Sequence, residues 1–416
     1  TAVVTNKGGY MNLRYDPLDP EFLENPYPTC AKLRDDDPVH YHRATVKVPG
    51  FWALSRVADI WDAVRSQKHF SSAQGLTFYP DEISQLGLPP NPVMLDSPVH
   101  TQLRALIGRG FTARRVAELE GIIRSFVRRR LVHLGERAAE GEPVDLHQEF
   151  ASTIPTYVLA ELFGLAEEDR LRFGPWVQAL TAIQNDGLRI GQIDGKGAVA
   201  EMLGYFSEQI EARRSQPADD LIGALVAAEI DGERLSDWDI LGFCFVVVAG
   251  GSDTTASLIS HGVALLSERP DQRAVLIDDP AVIGGAIIEF LRLESSVQGL
   301  CRTTIQDVTI HDTTIPAGEK VMMLYGSDNR DQREFGDDAD RLDVRRAIPR
   351  HLAFSSGPHF CIGSHLARLQ ARVACEELLA LHPEVTVDID AGQRHRSPFV
   401  RAFVSLPADG LSAPSV

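Results

Sequence analysis

The sequence is short of cysteine and of positive charge, and each shortage excludes something. Five cysteines (Cys30, Cys244, Cys301, Cys361, Cys375) stand among 416 residues, an odd number at irregular spacing. A disulfide framework is not expected, and a reducing compartment fits. No Cys-x-x-Cys pair occurs, and zinc would want at least three Cys/His ligands. Lys and Arg number 41 against 58 Asp and Glu, a net charge of −17. That balance argues against nucleic acid and against anionic membrane surfaces. No uncharged apolar run approaches the roughly 20 residues of a membrane span. Residues 1–13 carry no basic stretch followed by an apolar one. Internal repeats, low-complexity tracts and heptads are absent too. The expectation is a cytoplasmic protein without a membrane span.

What is present is mostly helical in pattern. Apolar residues recur at three- and four-residue spacing over 116–139, 146–163 and 198–214. Gly187, Gly191, Gly195 and Gly197 mark a mobile connection. Strand-like runs are short: 39–41, 51–54, 385–389 and 403–406. Runs 309–315 and 320–324, joined by the Pro316-Ala-Gly-Glu turn, read as a β-hairpin. The chain after Pro407 reads as a loose tail. Residues 71–98 form a long loop with Pro80, Pro89, Pro90, Pro92 and Pro98. Loops of that length are uncommon inside a compact domain. Leu76, Phe78, Leu88, Val93, Met94 and Leu95 fit either a substrate lid or an insertion with its own small core.

Four stretches carry chemistry. In Phe354-Ser-Ser-Gly-Pro-His359-Phe-Cys361-Ile-Gly363 a lone cysteine sits between glycines and beside a histidine. A helical run follows, whose N-terminal dipole favours a thiolate and so a ligand for a soft or borderline metal, haem iron among them. Alone, a single cysteine is more often a small buried hydrophobe. A capping box at Ser236-Asp-Trp-Asp239 opens a helix expected to reach about Glu268. Its apolar first half meets Gly250-Gly-Ser-Asp253-Thr254-Thr. Paired glycines cost roughly 1 kcal/mol each in a helix, and an aspartate in an apolar helix costs more unless partnered. Thr254 can bond the carbonyl of Gly250 and open the helix. A kinked core helix with a solvent-facing Asp is the alternative. His100 and Arg104 share one helix face. Glu289 and Arg292, three apart among apolar residues, suit a buried ion pair.

Together these stretches resemble the cytochrome P450 family, in the family's order and over essentially the whole chain. The resemblance implies a mainly α fold with a small β part near the N-terminus, in one domain spanning 1–416. It implies haem b (iron protoporphyrin IX) held by Cys361 at the metal, with Phe354 and Gly363 in the cysteine loop. His100, Arg104, Arg302 and His359 would contact the propionates, and Gly250 would lie against the cofactor. Asp253 and Thr254 would deliver protons. Glu289 and Arg292 would form the structural pair, with Arg346 of the Leu342-Asp-Val-Arg-Arg346 stretch as third partner, though Arg345 is adjacent and Leu342 stands where the family has Phe.

The implied activity is monooxygenation with O2 by an enzyme of the soluble bacterial type. No reductase domain or flavin fingerprint is present, so a separate ferredoxin and ferredoxin reductase would supply electrons. Arg109, Arg114, Arg115, Arg368 and Arg372 are candidates for the docking face. The substrate pocket by family position draws on Phe78, Met94, Phe243, Val246, Ala249, Gln298 and Val400, which suits a hydrophobic substrate such as a lipid, fatty-acid derivative, steroid or terpenoid-like molecule. Two other readings remain: a peroxygenase, against which the acid–Thr pair argues, and a non-catalytic haem-thiolate protein that binds or senses a ligand.

Overall fold

In the computed structural model, strand Lys320–Met323 is the centre of the main sheet, and all its residues are buried. The structure describes residues 13–80, 82, 91–169, 173–177, 196–230 and 232–413. The sheet order is Val39–His42, Phe51–Leu54, Lys320–Met323, Leu300–Thr304, Phe70–Ser71. Lys320–Met323 runs parallel to Phe51–Leu54 and antiparallel to Leu300–Thr304, so Val321 faces Trp52 on one side and Arg302 on the other.

Strand Phe51–Leu54 is buried throughout because both faces of the sheet are covered. Its side chains alternate. Phe51 and Ala53 join Cys301, Met322, Phe78, Phe399 and Val400 on one face. Trp52 and Leu54 join Val321, Met323, Ile60 and Val64 on the other.

Two expectations about strands are corrected here. Thr313–Ile315 pairs with Val308–Ile310 in a tight hairpin of its own, and Lys320–Met323 joins the main sheet instead. The main sheet therefore draws on Leu300–Thr304 and Lys320–Met323 as well as on the N-terminal strands. The chain after Pro407 is not a loose tail. Pro407–Asp409 is the middle strand between Thr386–Val387 and Val144–Asp145, since its backbone groups find ladder partners on both sides.

The helical body surrounds one large apolar cluster, to which the helices Glu120–Ala139, Asp237–Gly251, Asp253–Glu268, Ile283–Leu293 and Ser364–Leu381 all contribute. The capping box forms: Ser236 Oγ accepts from the Asp239 N–H at 3.1 Å, and Asp239 Oδ2 accepts from the Ser236 N–H at 3.2 Å. The helix it opens does not run unbroken to Glu268. It stops at Gly251 and restarts at Asp253. Asp237–Glu268 is long and apolar enough to cross a membrane, the one such stretch among the described residues, and 72% of its apolar window is buried inside the fold.

Of the expected mobile connection, Gly187, Gly191 and Gly195 lie outside the described residues, as do 81 and 83–90 of the long loop. Gly197 belongs to the helix Lys196–Ser215.

Candidate active site

The Cys361 loop is shaped by its own backbone. The Cys361 N–H donates to the Phe354 carbonyl at 2.9 Å, closing the loop. Gly357 has φ +68, and a Cβ there would lie 3.0 Å from the Arg65 backbone, so the turn excludes larger residues. The helix Ser364–Leu381 starts immediately after, so the amides of Gly363 and Ser364 lie by the sulfur and favour its thiolate. Those amides and the Arg104 cation pull the thiol pKa down, but burial is the larger effect and leaves it raised. The amides at the helix start favour the thiolate, as the dipole argument expects, while burial opposes it.

Beside the loop, four basic side chains come together. His100 and Arg104 lie on the helix Val99–Ile107. The ring of His100 packs on that of His359 at 4.0 Å, tilted 30°. Arg104 donates to the carbonyl of Phe360. Arg302 is 4% exposed, and its hydrogen bond goes to the adjacent Cys301 carbonyl at 2.8 Å. Among the described residues, no carboxylate pairs with Arg302 or Arg104. The Nδ1 of His100 is buried without a partner. Burial, then the Arg104 cation, lowers the pKa of His100. Burial, then the Arg302 cation, drops that of His359 to about 3. Unpaired guanidiniums beside neutral imidazoles form a donor set whose missing acceptors are carboxylates. A thiol with these donors at its side fits haem b and its two propionates.

The central helix breaks where its sequence departs from helix rules. Thr254 Oγ1 donates to the Gly250 carbonyl at 2.7 Å. A Cβ at Gly250 would meet nothing within 4 Å, so open space borders the helix there. Asp253 is 8% exposed. Among the described residues it has no ion pair, and burial raises its pKa to about 6. The solvent-facing alternative for this Asp is thereby excluded. The Ser252 hydroxyl beside it is buried and unpartnered. Ser296 Oγ donates to the Thr254 carbonyl at 2.9 Å, tying the break to the segment before the main sheet.

Glu289 and Arg292 are both fully buried and joined by two bonds of 2.7 and 2.8 Å. Arg292 also donates to the carbonyls of Asn329 (2.8 Å) and Ala339 (2.6 Å). Arg346 reaches Glu289 at 3.2 Å, and Asp343 N–H bonds the same carboxylate oxygen at 3.2 Å. Arg345 turns away to Asp279 at the surface, at 3.5 Å.

The proposed pocket residues divide. Phe78 and Val400 lie in the apolar cluster on one sheet face, with Phe78 stacked on Phe51 and packed against Phe399. Phe243 and Ala249 belong to the main helical cluster, and Val246 is half-buried on the same helix. Met94 is buried in the turn Pro92–Met94, which packs on that helix. Gln298 spends its amide on the Ser295 carbonyl at 2.6 Å. Two further residues that no motif marks, Gln67 and Ser72, both contact His359 at this site.

Comparison with known proteins identifies the family. The family model for Cytochrome P450 matches residues 281–388. Cytochrome P450 130 of Mycobacterium tuberculosis is 46% identical over 394 residues, covering 93% of this chain and 95% of that protein. The vitamin D(3) 25-hydroxylase of Pseudonocardia autotrophica is 36% identical over 400 residues, covering 95% and 96%. The structure of Mycobacterium marinum cytochrome P450 CYP268A2 in complex with pseudoionone superposes with a TM-score of 0.84 at 32% identity, covering 95% of this chain and 99% of that one. The chain belongs to the cytochrome P450 family and is a monooxygenase of that haem-binding family.

Proposed function

We propose that the chain is a single-domain haem-thiolate monooxygenase that inserts one oxygen atom from O2 into a hydrophobic substrate, with Cys361 as the iron ligand. When bound, haem b supplies the oxygen chemistry, and a thiolate ligand pushes electron density that favours O–O cleavage. The residues of this chain do the rest. Phe354 and Gly363 hold the cysteine loop in shape. His100, Arg104, Arg302 and His359 receive the propionates. Thr254 stands one turn from Gly250 beside the open space, and Asp253 adjoins it with a carboxyl that titrates near neutrality, as proton delivery needs. The observation that carries the reading is the Arg302–Arg104–His359 donor set beside Cys361 with no carboxylate of its own.

Phe78, Met94, Phe243, Val246, Ala249 and Val400 favour an uncharged, hydrophobic ligand, with Gln298 as a polar neighbour. The vitamin D(3) and pseudoionone named for relatives are of that character. A lipid, steroid or terpenoid-like substrate follows. Electrons come from a separate ferredoxin and its reductase in the cytoplasm. Arg372 is committed to Glu120 and Glu376 at 2.7 Å each. Arg114 and Arg115 hold only exposed pairs of 3.8 and 3.6 Å, which are weak and exchangeable. They are the better docking candidates.

The test is incubation with a surrogate ferredoxin, its reductase, NADPH and labelled dioxygen over a panel of steroids, fatty acids and terpenoids. One labelled oxygen atom in a product is expected. Ligand-induced changes in the haem spectrum without any oxygenated product would favour the ligand-binding reading instead. Unchanged reduction by ferredoxin in the R115E variant would remove this docking face.

A further inference from the structure

Three segments meet at one ring nitrogen. The Nε2 of His359 lies 3.4 Å from the side-chain amide nitrogen of Gln67 and 3.3 Å from Ser72 Oγ. Both neighbours are anchored by the segment that precedes the His100 helix. Ser97 Oγ donates to Gln67 Oε1 at 2.7 Å and lies 2.8 Å from Thr101 Oγ1. Asp96 accepts from the Ser72 N–H at 3.0 Å and, through its other oxygen, from the Ser71 hydroxyl. Gln67 itself sits in the turn between the helix Val57–Arg65 and the strand Phe70–Ser71.

This arrangement selects a tautomer. Gln67 is oriented with its oxygen on the Ser97 hydroxyl and the NH2 end of its amide turned to His359. An NH2 group has no lone pair to offer, so Nε2 must be the acceptor, and the Ser72 hydroxyl donates to the same atom. The ring proton is then on Nδ1. Among the described residues, no group bonds His359 Nδ1.

We infer that Gln67 is a positioning residue for the cofactor: it fixes His359 as the Nδ1–H tautomer, so that the ring presents a donor, and not a lone pair, to a haem carboxylate. The inference rests on the proposed contact between His359 and a propionate. Its logic is that of an outer partner that sets which nitrogen of a histidine is free to act. Ser72 and Asp96 support the same orientation from the other side.

Two substitutions separate tautomer control from simple packing. Q67E offers only acceptor oxygens, so Nε2 takes a proton, and the neutral ring then turns the Nδ1 lone pair to the propionate. Q67A removes the bond without imposing either tautomer. The His359 tautomer is read by nitrogen-15 NMR of histidine-labelled ferrous–CO holoenzyme, with the signal assigned by its loss in H359N. Haem release is timed by transfer to excess apomyoglobin. We expect Nδ1–H in the native protein, Nε2–H in Q67E, and haem release about tenfold faster in Q67E, with Q67A in between. A native His359 protonated at Nε2, or equal release from Q67A and Q67E, overturns the inference. A holoenzyme without thiolate-type CO absorption is a different failure, that of the haem-thiolate reading. The native tautomer would then still decide what Gln67 does.

Discussion

The hydroxyl of Thr254 donates to the carbonyl of Gly250 at 2.7 Å, and the helix between them is broken at Ser252. That bond takes a carbonyl out of the helical ladder and places the hydroxyl beside the open space at Gly250. Replacing Thr254 by Val keeps the shape and removes the hydroxyl. T254V should lower product formation about 100-fold, the scale of a lost proton-transfer group, while NADPH consumption continues and releases hydrogen peroxide. T254S should retain most of the product. Product and peroxide per NADPH are the quantities to measure.

Asp253 couples the same break to pH. Burial raises its carboxyl from the ordinary 3.8 to about 6. The folded chain therefore holds this proton more tightly than the unfolded chain. The stabilisation is fully present below pH 3.8 and is lost as pH rises through 6. D253N has no such titration. Its stability relative to the native protein should rise across that window, by at most about 3 kcal/mol. Denaturant unfolding at several pH values checks this, and parallel curves for the two proteins would contradict it.

Arg302 should affect apoprotein and holoenzyme in opposite directions. Its guanidinium is buried without a carboxylate partner among the described residues, which is costly until one is supplied. R302Q should raise the melting temperature of the apoprotein and quicken haem release from the holoenzyme. Loss of stability in both forms would show that the guanidinium serves packing alone.

The Glu289 carboxylate makes neighbouring arginines unequal. E289A leaves Arg292 buried and unpaired and should cost about 3–5 kcal/mol. R346A, which removes the 3.2 Å bond to Glu289, should also destabilise clearly. R345A disturbs only the exposed Asp279 pair and should stay within about 0.5 kcal/mol. Urea unfolding of the variants ranks them, and equal effects of R345A and R346A would refute the assignment.

The parts of this molecule that could be read from sequence are those where a local rule is broken or a spacing is rigid. Gly250 to Thr255 advertises itself as a helix that should not continue, and the structure breaks it there. Glu289 and Arg292 are charged residues on an apolar face, and they are buried together. Tertiary partners were not legible. Lys320–Met323 left its sequence neighbour to join two distant strands because burial on both faces outweighs a short hairpin. Pro407–Asp409 became a strand because strands from residues 144 and 386 framed it. The effect of burial on the Cys361 thiol was likewise invisible, since a helix terminus shows in sequence and desolvation does not. Gln67 and Ser72 belong to no motif, and only folding brings them to His359.

Cys361 is the residue that would hold haem iron through a thiolate. The most direct test of this role is the absorption spectrum of dithionite-reduced protein under carbon monoxide, for the native chain and for C361H. A strongly red-shifted Soret band is expected for the native chain, replaced in C361H by a band typical of histidine ligation. A histidine-type band in the native protein, or a red-shifted band that survives in C361H, would contradict this role of Cys361.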